Sequence, residues 1–334
     1  MNITIKDVAK IANVSYATVS RALSGSKEVS ESTRKRIVDI CNKIGYSPNA
    51  IARGLVTSNT YTIGLIVPDI TNPFYPEVAL GVEDEARRNG YNIFLCNTNF
   101  EIEREKSYFK LLLEKRVEGI IIASISDEAR NSFISYNSRL PIVYIGSDPK
   151  EISCNFVATD NVKAGFLAAE YLIKLGHNKI AFLGGSSGSN SYQDRLKGFM
   201  TAMKKNGLKP DTTLIKGNGF RRENGYKIIK GMIDEKIIPA AIIAANDLVA
   251  LGVIEGCEEL NLNVPEDISV IGFDDIPYAS LPKIKLTTVS QSKYSLGKRA
   301  FDMVFKLLKD KIPKKGLQEI LQPELMIRTT CKKA

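Results

Sequence analysis

The stretch Thr4-Ile5-Lys6-Asp7-Val8-Ala9-Lys10-Ile11-Ala12-Asn13-Val14-Ser15-Tyr16-Ala17-Thr18-Val19-Ser20-Arg21-Ala22-Leu23 decides how the rest of the chain is read. Thr4 precedes a helical pattern and Asp7 follows three residues on, a capping box with Asp in the place of the usual Glu. Ile5, Val8, Ala9 and Ala12 fall on one helical face. Asn13-Val14-Ser15 breaks the pattern, and Ser15 is placed to cap a second helix starting at Tyr16. Two short helices joined by a three-residue turn make a helix-turn-helix.

On the second helix Val19 and Leu23 point toward the first. Tyr16, Ala17, Ser20 and Arg21 share the opposite arc, within about 140° at 100° per residue. That face has the chemistry of a major-groove reader: an Arg21 fork for guanine, Ala17 for a thymine methyl, Tyr16 and Ser20 for base edges or phosphate. A third helix, capped by Ser30, is predicted over Glu31–Ile44, with Gly45 as its stop. Pro48 blocks continuation and Asn49 caps one further turn, but residues 50–56 are too few for a lone helix, so that turn needs a partner. Residues 1–58 hold nine Lys and Arg against four Asp and Glu, a net +5 of the chain's +9, and the other 276 residues carry only +4. A basic head on a nearly neutral body is the electrostatic footprint of a nucleic-acid binder, with Arg34 and Lys35 as phosphate candidates.

The full 334 residues imply two or three domains of ordinary globular composition. No apolar run reaches membrane-spanning length, and Met1–Asp7 lacks the basic and apolar regions of a signal peptide, so a cytoplasmic protein is expected. Five scattered cysteines form no C-x-x-C pair and read as buried free thiols. His177 is the only histidine; it sits in a helix-end turn, where a solvated role is expected. The chain has no G-x-x-x-x-G-K-[ST] loop, nucleophile elbow or metal cluster, so no catalysis, cofactor or metal is expected.

Beyond the head, strand-like runs alternate with amphipathic helices. Ile63–Val67, Asn92–Cys96, Gly119–Ala123 and Ile142–Ile145 are separated by predicted helices at Glu77–Asn89 and Glu103–Lys115. A second set follows, with helices at Val162–Leu175, Asp194–Asn206, Glu223–Lys236 and Leu248–Glu259 between strands at Lys179–Leu183, Leu214, Ala241–Ala244 and Ile268–Gly272. Such alternation means parallel sheets covered by helices, here in two similar lobes.

Thr4–Ala9, Val14–Leu23 and Gly45-Tyr46-Ser47-Pro48-Asn49-Ala50-Ile51-Ala52-Arg53-Gly54-Leu55 resemble the LacI/GalR family of bacterial transcriptional regulators, and the resemblance continues through the body. It implies a three-helix head at 1–46, a hinge helix and linker at 47–60, and a two-lobed periplasmic-binding-protein-like body at 61–334. Lobe one then takes 61–160 and 291–323, and lobe two 161–290 and 324–334. In that family the hinge helix orders on operator DNA, pairs with its dimer mate and wedges a leucine into the minor groove; Leu55 is the matching residue. The candidate DNA contacts are therefore Thr4, Ser15, Tyr16, Ala17, Thr18, Ser20, Arg21, Asn49, Ala52 and Leu55.

Ligands of such sheets bind beyond the carboxyl ends of the strands. The residues there that match effector-pocket positions are Phe74, Tyr75, Asp160, Ser191, Arg195, Phe220, Asn246 and Asp274. Asp274 and Arg195 suit hydroxyls, and Phe74, Tyr75 and Phe220 suit the C–H face of a sugar ring. Asp160 also reads as a helix cap, as does Asp247, and Arg195 reads as lying at a helix start, where a cation needs an anionic or hydroxyl partner. Purine-responsive members carry an arginine where Ser189 stands, so a sugar or sugar phosphate is the expected effector. The expected protein is a homodimeric, ligand-controlled repressor on a near-palindromic operator, with no leucine heptad tail for tetramers. The alternative is a catabolite control protein driven by a phosphorylated carrier protein. Its relatives place an arginine and a lysine where Asp302 and Lys306 stand here.

Overall fold

A computed structural model describes residues 3–23, 26, 28–46, 59–123, 133, 136, 140–146, 154–310 and 315–334. They divide into two units, Met1–Thr60 and Tyr61–Ala334.

In the first unit α1 (Ile5–Ala12), α2 (Tyr16–Leu23) and α3 (Glu31–Ile44) enclose Val8, Ala9, Ala12, Val19, Ala22, Val29, Ile37 and Cys41. The Asp7 carboxylate accepts from the Thr4 amide at 2.8 Å and its hydroxyl at 2.7 Å, and these bonds hold its pKa down. The turn begins at Asn13, in the left-handed region at φ 50, a conformation that asparagine tolerates. Ser15 Oγ accepts from the Thr18 amide at 3.1 Å and starts α2. Gly45, at φ 69, ends α3. The expected hinge helix, with Asn49, Ala52 and Leu55, lies outside the described residues.

In the second unit, one sheet is ordered β11-β5-β4-β3-β1-β2. It is built from β1 (Thr62–Val67), β2 (Asn92–Asn97), β3 (Gly119–Ile122), β4 (Ile142–Gly146), β5 (Asn155–Thr159) and β11 (Gln318–Leu321), all parallel. It carries α4 (Phe74–Arg88), α5 (Ile102–Glu114) and, from the far end of the chain, α10 (Lys293–Lys309). The other sheet is ordered β12-β10-β9-β8-β6-β7. Its strands are β6 (Ile180–Leu183), β7 (Ile215–Lys216), β8 (Ala241–Ala244), β9 (Ser269–Asp274), β10 (Thr287–Ser290) and β12 (Glu324–Met326). Here the all-parallel expectation fails at one edge, because β12 returns antiparallel to β10. Its helices are α6 (Asn161–Lys174), α7 (Asn190–Lys205), α8 (Arg222–Asp234) and α9 (Asp247–Glu259). The chain passes between the sheets after β5, after β10 and after β11.

Helix pairs on both sheets meet at glycines. A Cβ on Gly165 of α6 would lie 1.9 Å from the Arg195 carbonyl oxygen of α7, and one on Gly198 of α7 would lie 2.0 Å from that of Val162. Gly225 with Gly252 joins α8 to α9 in the same way, and Gly81 with Gly297 joins α4 to α10. Backbones this close leave no room for a side chain, which fixes where the residues on those helices point. The solvated role expected for His177 is not seen. Its ring is 4 % exposed, and Nε2 lies 3.1 Å from Ser269 Oγ and 3.0 Å from the Lys332 carbonyl, so it fastens the C-terminal segment to the second sheet.

Candidate functional site

The head presents one polar face. Tyr16, Ser20 and Arg21 are exposed along α2, with Ala17 and Thr18 partly covered beside them. Val19 and Ala22 occupy the core on the other side. Arg21 Nε lies 3.2 Å from Glu28 on the surface, an exposed pair of small worth. The Ser15 and Thr18 hydroxyls, 2.9 Å apart, serve the cap of α2. Arg34, a phosphate candidate, donates from Nη2 to the Ser26 carbonyl at 2.7 Å, clamping the approach to α3, and its Nη1 lies 3.3 Å from Glu31.

The second unit holds a cleft between its two sheets. Pro68, Asn72, Phe74, Tyr75, Phe100, Ile145, Gly146 and Leu296 line it from the first sheet and its helices. Ser189, Ser191, Arg195, Phe220, Asn246, Asp274 and Gln291 line it from the second sheet and the crossover. Seven of the eight sequence-predicted effector residues meet here. Asp160 does not: its carboxylate accepts from the Lys163 amide at 2.8 Å and caps α6.

Arg195 and Asp274 form the buried polar centre. Arg195 donates from Nε to Asn161 Oδ1 at 2.9 Å and from Nη1 to the Ala245 carbonyl at 2.6 Å; Nη2 lies 3.5 Å from Asp274 Oδ1. Its guanidinium lies 4.7 Å from the Phe273 ring centre. Arg195 does not lie at a helix start. Ser189 starts α7 four residues earlier than expected, so Arg195 stands beyond the first turn, and these partners hold it rather than any contest with the helix dipole.

Burial pushes the Asp274 carboxyl up to about 6, against the pull of Arg195, Lys293 and Gln291. Asp274 and Asp275 have φ of 105° and 51°, a backbone conformation that L-residues rarely adopt. Lys293, 5 % exposed, holds that turn by donating from Nζ to both carbonyl oxygens at 2.7 Å. Asp247 is buried behind the site, accepting from the Ile276 amide at 2.9 Å and the Thr288 hydroxyl at 2.6 Å; desolvation raises its pKa strongly. Asn246 lines the cleft but also caps α9 through its Oδ1.

Three polar atoms at this centre make no hydrogen bond among the described residues. Asp274 Oδ2 is one, since Oδ1 takes both Gln291 and Arg195. The Tyr75 hydroxyl is the second; burial and the Asp274 charge raise its pKa. Asn72 Nδ2 is the third, its Oδ1 being used to accept from the Phe74 amide at 3.0 Å. The Phe74 ring meets Tyr75 edge to face, centres 5.0 Å apart. Sequence reasoning missed Asn72, Phe100 and Gln291. Asn72-Pro73 was the available signal, since an Asx turn before a proline commonly opens a helix.

A small helix-turn-helix unit followed in the same chain by a two-lobed body with a polar cleft defines a class, the ligand-responsive DNA-binding regulators. The profile of bacterial regulatory proteins of the lacI family matches residues 4–49, and that of the periplasmic binding protein-like domain matches 169–331. The HTH-type transcriptional repressor PurR of Pasteurella multocida is 35% identical over 331 residues, 98% of each chain. The HTH-type transcriptional regulator RegA of Clostridium saccharobutylicum is 38% identical over 334 residues, 98% of this chain and 99% of its own. Among solved structures, the Lac repressor dimer bound to operator and the anti-inducer ONPF superposes with a TM-score of 0.89 at 27% identity, covering 99% of this chain and 100% of that one. A LacI family regulator from Enterococcus faecium with bound ribose gives 0.73 at 29% identity, over 82% and 99%. The chain belongs to the LacI family and is a helix-turn-helix transcriptional regulator, not an enzyme. Among the described residues no helix is long and apolar enough to cross a membrane, and no group of three or more His, Cys, Asp or Glu is placed to hold a metal ion.

Proposed function

We propose that the chain is a cytoplasmic, homodimeric repressor of a near-palindromic operator, controlled by a neutral sugar held in the cleft. The observation that carries the ligand reading is the convergence of Asp274 Oδ2, the Tyr75 hydroxyl and Asn72 Nδ2, none with a hydrogen bond among the described residues, beside the Phe74 ring. A hydroxylated ring supplies donors and acceptors to all three and a C–H face to the aromatic wall. Arg195 is the one cationic side chain among the described lining residues, and Asp274 already balances it, which favours a sugar over its phosphate. Ser189, bonded to Ser191 at 3.0 Å, offers no cation to a purine oxygen. The ribose-bound relative supports the same class.

The dimer reading rests on exposed apolar surface. β2 is the outer strand of its sheet, yet Phe94 and Leu95 are each 48 % exposed there. An uncovered apolar edge of this kind calls for a partner. The carrier-protein alternative is not favoured: Asp302 puts a carboxyl group on α10 where those relatives carry an arginine, and the nearby Lys298 is already paired with Glu85. A thermal-shift screen over sugars, sugar phosphates and purines tests the ligand reading. A ligand at 100 times its Kd adds about 2.7 kcal/mol of stability; a response to purines alone would replace the sugar reading.

A further inference from the structure

The cleft has an inner and an outer compartment, and two phenylalanine rings stand between them. The inner compartment is the polar centre around Arg195 and Asp274. The outer one is lined by Asn99, Ile102, Ser186, Gly188, Arg221 and Asn224, and shares Phe100, Ser189 and Phe220 with the inner. Phe100 follows β2 on the first sheet, and Phe220 precedes α8 on the second. Their rings are nearly parallel, 11° apart in plane, with centres 5.9 Å apart.

The contact is fastened from both sides. Arg221, next to Phe220, donates from Nη2 to Asn99 Oδ1, and its Nε lies 3.6 Å from the buried Asp69 carboxylate at the end of β1. The Phe100 amide donates to the Pro68 carbonyl at 3.2 Å. Asn99 and Phe100 both hold positive φ, 56° and 61°, so the loop turns sharply to carry the Phe100 ring across to its partner. One face of Phe220, expected to stack on the ligand, is thus covered by Phe100.

We propose that Phe100, Phe220 and Arg221 form the specificity-determining partition of this cleft: they confine the ligand to a single ring and shut the outer compartment off from the inner one. The proposal rests on the sugar reading for the identity of the ligand, but the partition itself does not. With the Phe100 ring removed, the two compartments join into one groove. The outer half then offers Asn99, Ser186, Arg221 and Asn224, which suit the hydroxyls of a second sugar ring.

Two measurements on the full chain test this. The first needs no ligand. The chain contains no tryptophan, so Phe220→Trp places a single indole in the partition. Acrylamide quenching of that indole is expected to rise several-fold when Phe100→Ala or Arg221→Ala is added, with Phe100→Leu between. Quenching that is the same in all of them overturns the partition. The second uses D-ribose, D-glucose and cellobiose as probes, read by calorimetry. The parent chain is expected to bind a monosaccharide at least tenfold more tightly than cellobiose, and Phe100→Ala to bring the two within threefold. A parent chain that binds cellobiose as well as a monosaccharide overturns the size limit. If no sugar of either length binds any variant while quenching responds as stated, the sugar reading falls and the partition stands.

Discussion

Asp274 carries most of the chemistry asked of the cleft, and its protonation is the first thing to test. Burial raises its folded pKa to about 6, above the usual carboxylate value. An acid shifted upward favours folding fully below its unfolded pKa, and that contribution is lost as pH rises through 6; at neutral pH its charge is a cost to the fold. A sugar hydroxyl that donates to Oδ2 needs the ionised form. Ligand affinity is therefore expected to be flat above pH 7 and to fall by about tenfold per unit well below pH 6, with a proton released on binding near pH 6. Calorimetry in buffers of different ionisation enthalpy measures both, and an affinity unchanged between pH 5 and 7.5 would remove Asp274 from the contact. The groups that face this carboxyl are Arg195 of α7, Lys293 of α10, Gln291 of the crossover, Tyr75 of α4 and Asp247 of α9. In the head, the proposed base reading turns on Arg21. Arg21→Ala is expected to cost about 1–3 kcal/mol on the specific site and to relax preference at one base pair per half-site. The expected contrast is Lys35→Ala, which weakens all sequences alike and flattens the salt dependence. Footprint titrations at two salt concentrations separate them, and equal losses on specific and random DNA for Arg21→Ala would end its base-reading role.

At the scale of elements, helices and their caps explain what the sequence could and could not disclose. The starts of the three helices of the head, and the ends of the first and third, were legible because Thr4, Asn13, Ser15, Ser30 and Gly45 punctuate them with chemistry that is local. In the body the apolar periodicity found the helices but misplaced two starts. α4 begins at Phe74 rather than Glu77, since Asn72 accepts from the Phe74 amide across Pro73. α7 begins at Asn190 rather than Asp194, out of a Gly/Ser loop that carries no apolar pattern. Both slips fell on cleft residues, because strand-to-helix turns are where ligand contacts sit and where periodicity is silent. Asp160 was ambiguous for the same reason: a carboxylate after a strand caps a helix or meets a ligand, and only the 2.8 Å bond to the Lys163 amide decides. The glycine pairs could not be read at all, since which helix faces which is a tertiary fact. They carry a prediction. A Cβ at Gly165 would sit 1.9 Å from the Arg195 carbonyl, so Gly165→Ala has to push α7 away. It is expected to cost about 1–3 kcal/mol of stability through overpacking. By moving Arg195 it should also weaken ligand binding at temperatures where the chain stays folded. Gly231→Ala, where a Cβ meets nothing within 4 Å, is the control and should be neutral or stabilising. Equal behaviour of the two in thermal unfolding would refute the close-packing argument.

For the whole molecule, the question is how a small ligand reaches a DNA-binding surface. The cleft draws Asn72, Phe74 and Tyr75 from one lobe and Arg195 and Asp274 from the other, and only three chain crossings join the lobes. A ligand touching both lobes has a different affinity for each lobe angle, which is the condition for shifting a population. Linkage then requires that operator DNA change ligand affinity by the same factor that ligand changes operator affinity, typically about 5–150-fold. The factor depends on two heads acting together, and so on the dimer. Phe94 and Leu95 stand exposed on the edge strand, away from the cleft and outside its lining. Phe94→Asp with Leu95→Asp would oppose like charges across any symmetric pairing of that edge. The expected outcome is a monomer by sedimentation at micromolar concentration, with ligand affinity in the absence of DNA unchanged. Such a monomer retains the salt-dependent binding of its basic head to random DNA but loses the operator preference that two half-sites confer. A double variant that remains dimeric would place the interface on another face, and a monomer that still answers ligand with a full change in operator affinity would show that the coupling runs within one chain.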